Sequence, residues 1–155
     1  MTKHGMMWTR VLLSIVCCTV SLFQQPVWGA GPDLESRAHQ PHRVVMHLNS
    51  GDEKVQRGAL NKMRNLYLEL GPENLLVELV VHGSALPLLI KDKTAFAAEL
   101  TDLKQTYGAR FTACSNTMKT IKVTREDLIG EVSDTVPAMV RLMERQEQGW
   151  AYIKP

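Results

Sequence analysis

Between residues 43 and 153 the chain alternates between apolar runs of strand length and apolar positions at helical spacing. Residues 43–48 (RVVMHL) form a β-rich run ended by the turn-forming Asn49-Ser50-Gly51-Asp52. Val55, Ala59, Met63, Leu66 and Leu70 then recur at helical spacing until Gly71-Pro72 closes the pattern. Residues 75–81 (LLVELVV) are nearly all apolar, as in a strand buried on both faces, and end at His82-Gly83-Ser84. Phe96, Leu100, Leu103 and Tyr107 mark a second helix closed by Gly108. Residues 110–114 predict a third strand, after which Ser115-Asn116-Thr117 are placed to cap a short helix running to Lys122. Thr124-Arg-Glu-Asp127 has the form of a capping-box turn. Residues 129–132 are expected as a fourth strand. Val136, Met139, Val140 and Met143 form a third long helical stripe, and residues 149–153 a last strand.

This β-α-β-α-β-(α)-β-α-β order predicts an α/β fold, a three-layer α/β/α sandwich with a mainly parallel sheet of about five strands. Right-handed crossovers then bring the C-terminal ends of the strands to one edge, where ligands of open α/β sheets gather. The methionines beyond the N-terminal segment fall on helix stripes or in strands and are read as core.

The N-terminus follows a different pattern. Lys3 and Arg10 precede an uncharged run, residues 11–23 (VLLSIVCCTVSLF), too short for a stable membrane anchor. It fits the apolar region of a secretory signal, with Val27 and Gly29 as the small residues before cleavage at Ala30. The expected organisation is a signal peptide over 1–29, a flexible leader over 30–41 and one α/β domain over 42–155, located in the periplasm without a stable membrane anchor after cleavage.

The whole chain has 155 residues, is 45% hydrophobic and 22% charged, and carries a formal net charge of +2. Those values exclude disorder, a collagen-like repeat and a polytopic membrane protein. Cleavage at Ala30 removes Lys3 and Arg10 and leaves a neutral chain, so no nucleic-acid partner is expected. It also removes Cys17 and Cys18. Cys114 is then the lone thiol, with no possibility of an internal disulfide.

Three segments that each follow a strand carry the candidate chemistry: Asn49-Ser50-Gly51, His82-Gly83-Ser84 and Cys114-Ser115-Asn116. In a parallel sheet they face one crevice. Cys114, at a strand end and a helix start, is expected to be accessible and to have a thiol pKa below the ordinary value, because backbone N–H groups and the helix dipole favour the thiolate. His82 is the candidate to tune its protonation. Asn49, Ser50, Gly83, Ser115 and Asn116 are the candidate substrate-binding positions, their N–H groups suiting an anion. A buried, inert Cys114 and a backbone-satisfied His82 are the alternatives. No metal-ligand spacing, nucleotide-binding glycine motif or nucleophile elbow appears, so neither metal nor cofactor is expected.

The residues 80–85 (VVHGSA), 111–118 (FTACSNTM), Val136-Pro137 and the ending Gln146-x-x-Gly149-Trp150-x-Tyr152 resemble the DsrE/DsrF-like family of small α/β proteins of sulfur relay and sulfur oxidation. The resemblance covers about residues 43–154. It implies that Cys114 accepts sulfane sulfur as a persulfide from a donor and passes it to an acceptor thiol, and that the chain forms a homo-oligomer. Lys119-Thr120 stands where relay members often carry Arg-Gly. The expected function is an exported sulfur carrier or sulfurtransferase. The alternative is a non-catalytic oligomeric ligand-binding or assembly module.

Overall fold

The computed structural model describes residues 40–155. The signal segment and all of the leader except residues 40 and 41 lie outside the described residues. The elements in order are β1 (His42–Leu48), α1 (Glu53–Leu70), a 3-10 turn (Pro72–Asn74), β2 (Leu75–Val81), a 3-10 segment (Gly83–Leu89) and α2 (Ala97–Gln105). They are followed by β3 (Arg110–Cys114), α3 (Ser115–Ile121), β4 (Val132–Val136), α4 (Ala138–Glu147) and β5 (Ala151–Ile153). The strands form one five-stranded sheet in the order β4-β3-β2-β1-β5, and every pairing is parallel.

This order determines the layers. From β1 to β4 each crossover steps in the same direction, so right-handed connections put α1, α2 and α3 on one face. The crossover from β4 returns past the whole sheet to the far side of β1, which puts α4 alone on the other face. The burial pattern agrees. Val44, Met46, Leu48, Val77, Leu79, Val81, Phe111 and Ala113 join a large core with α1 and α2. The intervening positions Val45, Val80 and Cys114 join a smaller one with Ala138, Leu142 and Trp150.

α1 starts at Asp52, whose carboxylate accepts the N–H groups of Lys54 and Val55 at 2.7 and 3.2 Å. Its buried face is Gln56, Ala59, Leu60, Met63 and Tyr67, rotated from the expected stripe, so Val55 and Leu70 remain exposed. The rotation lets the Tyr67 hydroxyl accept the Val77 N–H at 3.3 Å.

Several expectations are corrected. The fourth strand is Val132–Val136, not residues 129–132. Ile129 N–H bonds the Leu89 carbonyl and Leu128 bridges Ile90, so that apolar stretch closes the core against the 3-10 segment. The real strand is a sheet edge and carries the polar Ser133-Asp134-Thr135. The apolar stripe of α4 is also not core. Ala138 and Leu142 are buried, whereas Met139 and Met143 are 56% and 52% exposed and Val140 is exposed as well. Met46, Met63 and Met118 are buried as expected.

One buried carboxylate ties α4 to the sheet. Glu78 of β2 is 1% exposed, and its Oε2 accepts Arg145 Nε at 2.5 Å while its Oε1 accepts the Thr112 hydroxyl at 2.6 Å. Arg145 also stacks on Trp150, 4.5 Å from the ring centre. Without Arg145 the buried Glu78 carboxylate keeps only Arg141 as a counter-charge, 3.4 Å away and not hydrogen-bonded to it. Arg145→Ala should therefore lower unfolding stability by about 3–5 kcal/mol in urea titrations, with Arg145→Lys recovering only part of it.

Candidate functional site

The three post-strand segments do meet at one edge, held by hydrogen bonds between them. The Ser84 hydroxyl donates to the Asn49 carbonyl at 2.8 Å and accepts Gly51 N–H at 3.0 Å. Gly51 must be glycine for this contact, since a Cβ there would lie 2.9 Å from the Ser84 carbonyl oxygen. Gly83 N–H, at a φ of +57° that favours glycine, donates to Thr117 Oγ1 at 3.0 Å. Ser50 is used locally, its hydroxyl accepting Asp52 N–H and its carbonyl accepting the Gln56 amide. Gly83, Asn116 and Thr117 line a shallow cavity of about 370 Å³ with Ser84, Thr120 and Ile121.

Cys114 ends β3 and is itself the N-cap of α3. Ser115, Asn116 and Thr117 make no side-chain cap, which corrects that expectation: they already lie within the helix. Instead the helix start points its donors at the sulfur. Burial, the largest single influence, pushes the thiol pKa up. The Thr117 hydroxyl and the N–H groups of Thr117, Ala138 and Asn116 together outweigh it and hold the pKa below the ordinary thiol value. The Ala138 N–H lies 3.4 Å from Sγ. Because Gly83 N–H donates to Thr117 Oγ1, the Thr117 hydroxyl proton is free for the sulfur. The expected accessible thiol is corrected, however. Cys114 is 5% exposed, covered by Ala138, Leu142 and the neighbouring strands.

A family model, the DsrE/DsrF-like family, matches residues 43–155, nearly the whole described chain. The chain belongs to the DsrE/DsrF-like family. Among solved structures, a protein of unknown function from Methanobacterium thermoautotrophicum is 31% identical with a TM-score of 0.68. The match covers 74% of this chain and 99% of that one. A conserved protein of unknown function from Bacteroides thetaiotaomicron is 16% identical with a TM-score of 0.54, over 79% of this chain and all of that one, which shows the fold alone. No curated protein matches.

In this DsrE/DsrF-like protein the sheet edge also holds two residues that the sequence reading missed, His47 and Tyr152. Val81 pairs with Ala113, so the next positions along β2 and β3 are His82 and Cys114, on the face covered by α4. On β1, His47 shares that face. Its Nε2 lies 2.5 Å from His82 Nε2 and its Nδ1 lies 2.6 Å from the Tyr152 hydroxyl of β5. The two rings meet edge to edge, within 21° of a common plane and with centroids 4.8 Å apart. A single proton must bridge the two Nε2 atoms, so Tyr152, His47 and His82 form one hydrogen-bonded chain. In the sequence His47 reads as part of an apolar strand, and Tyr152 as part of a terminal strand and of the ending that resembles the family, neither with a role at the site. The signal in both cases was a polar ring at a strand's C-terminal end. The chain lies where the sheet order reverses, between β1 and β5, the usual ligand position of open α/β sheets. Among the described residues no three His, Cys, Asp or Glu side chains gather as metal ligands.

Both histidines are held below their ordinary pKa, chiefly by burial; the positive charges of His82 and then Lys154 add to this at His47, and that of Lys154 adds to it at His82. For a base with a depressed folded pKa, the unfolded chain takes up protons first as pH falls. Stability is therefore lost below the unfolded value of about 6.5, and the loss levels off once the folded pair also protonates. Urea midpoints should fall between pH 7.5 and 5.5, and His47→Gln should flatten that dependence; an equal slope in the variant would show that the pair is not its source.

The Thr117 hydroxyl gives a second prediction. Thr117→Val should raise the pH midpoint of thiolate formation at Cys114, read from thiolate ultraviolet absorbance, because it deletes one donor to the charged form.

Proposed function

We propose that this DsrE/DsrF-like protein is exported to the periplasm and carries sulfane sulfur as a persulfide on Cys114. The observation that carries the reading is the place of the sulfur between two helix starts, where the Ala138 N–H donates to it at 3.4 Å and the Thr117 and Asn116 groups of its own helix lower its pKa. A cysteine serving only as a small hydrophobe needs no such donors, whereas a thiolate does. The family's association with sulfur relay supports the same reading.

In the reaction the Cys114 thiolate attacks the outer sulfur of a donor persulfide. A sulfur–sulfur bond forms to Cys114, the donor's sulfur–sulfur bond breaks, and the donor leaves as a thiolate while the proton stays on the transferred sulfur. An acceptor thiolate then attacks that outer sulfur and returns Cys114 to the thiolate. No net oxidation occurs across the two steps. The donors around Sγ stabilise it both as attacking and as leaving group, and a moderately lowered pKa serves both roles. His82 and Cys114 each follow the paired Val81 and Ala113 on neighbouring strands, and in this reading the chain from His82 through His47 to Tyr152 supplies and removes the proton when the resting form is the thiol. Gly83 and Asn116 line the neighbouring cavity, Ser115 follows Cys114 as the first residue of α3, and Asn49 and Ser50 hold the adjoining loop. A donor or acceptor must displace the cover at Ala138 to reach Sγ.

A homo-oligomer belongs to the same proposal. Met139, Val140 and Met143 leave an exposed apolar face on α4 beside the groove that His47 and Tyr152 line.

The 5% exposure of Cys114 favours a second reading, an assembly or ligand-binding module with an inert thiol. One experiment separates them. Protein recovered from the periplasm should begin at Ala30 and carry the mass of one added sulfur atom on the Cys114 peptide. Cys114→Ser should lose that adduct while keeping its fold. A thiol that resists both persulfide donors and iodoacetamide until denaturant is added would establish the inert reading.

A further inference from the structure

On the side of α4 that looks toward β4, the sheet face is closed by charge instead of apolar side chains. A cleft of about 410 Å³ opens there, lined by Lys104, Arg110, Arg141 and Arg145 against two carboxylates, Glu78 and Asp134. Both carboxylates are already engaged. Glu78 is held by Arg145, with Arg141 Nε 3.4 Å away, and Asp134 is held by Arg141. Lys104 bonds only the neutral Ser133 hydroxyl, at 2.8 Å. Among the described residues neither Lys104 nor Arg110 has a carboxylate within ion-pair distance. Arg141 Nε is buried and its N–H has no hydrogen-bond acceptor, since Glu78 Oε1 does not accept it. A buried donor without an acceptor is costly and is normally satisfied by something.

We propose that this cleft binds a small dianionic tetrahedral oxyanion, the chemistry shared by sulfate, thiosulfate and phosphate. Among the residues that line the cleft two cations are in excess, which matches a dianion; Glu144, 4.0 Å from Arg141 Nη1, does not line it. The guanidinium groups offer paired N–H donors in the geometry such oxygens accept, and the Ser133 hydroxyl stands in the same wall. A neutral or cationic ligand would leave the surplus charge uncompensated. With only two free cations the cleft lacks the row of phosphate contacts that a nucleic-acid strand requires. The site is separate from the thiol. Its Thr112 lies two residues before Cys114 on the same face of β3, and the inference does not depend on sulfur transfer.

The test is calorimetric titration of the protein with sodium sulfate, thiosulfate, phosphate and acetate at one ionic strength set by chloride, which removes general screening as an explanation. In parallel, the Arg141 Nε–H resonance is followed by nuclear magnetic resonance. Saturable binding of the dianions, a moving Arg141 resonance and a loss of affinity of about tenfold or more in Lys104→Ala and in Arg110→Ala are expected. Both substitutions lie at the rim and leave Cys114 alkylation unchanged. The order of affinity among the three dianions identifies which of them the cleft prefers. No saturable binding, acetate binding as well as sulfate, or undiminished affinity in Arg110→Glu would each overturn the proposal.

Discussion

A fully parallel sheet must be covered on both faces, and in this protein one face has a single short helix to cover it. Five strands spaced by roughly 4.8 Å span about 19 Å, while one helix with its side chains is about 10 Å across. α4 lies over the middle of the face, where Ala138 and Leu142 meet Val45, Val80 and Cys114. What remains on either side is left to other chemistry. Toward β4 the gap is filled by Glu78, Asp134 and their arginines. Toward β5 it is a groove of about 470 Å³ bordered by His47, Tyr152 and the exposed methionines of α4. The polar groups of this face thus occur where one helix cannot reach.

The same shortage sets the environment of the thiol. Cys114 stands under the first turn of α4 and at the start of α3, so two helix starts supply N–H donors to one sulfur. Burial strengthens these contacts by lowering the local dielectric and at the same time opposes ionisation. The donors win, and the sulfur is both activated and covered. Movement of the α4 start by a small distance would change both properties together, because Ala138 contributes the N–H and the cover. Glu78 and Arg145 anchor the far end of that helix.

Much of the fold was legible because both faces of the central strands are buried. Residues 75–81 read as a strand since nearly every side chain must be apolar, and they form one. Where only one side is packed, the pattern misled. The edge strand β4 is polar and was displaced onto the apolar residues 129–132, which pack against the 3-10 segment. On α4 the stripe of Met139, Val140 and Met143 has the spacing of a core face, yet Ala138 and Leu142 are the residues that meet the sheet. Periodicity reports that a helix has an apolar side; it does not report which side meets the sheet.

The sequence by itself determined the βα alternation, hence the parallel sheet, and with right-handed crossovers the single edge at which Asn49, His82, Gly83 and Cys114 gather. Those follow from local periodicity and chain chirality, which need no knowledge of distant contacts. Only the tertiary structure decided that β5 returns beside β1, bringing Tyr152 to His47 across more than a hundred residues. It alone decided that Arg145 reaches Glu78 and that Cys114 is closed by Ala138. Each of these is a contact between side chains that no local pattern couples. Their meeting depends on strand order, and strand order is set by how the whole sheet is covered.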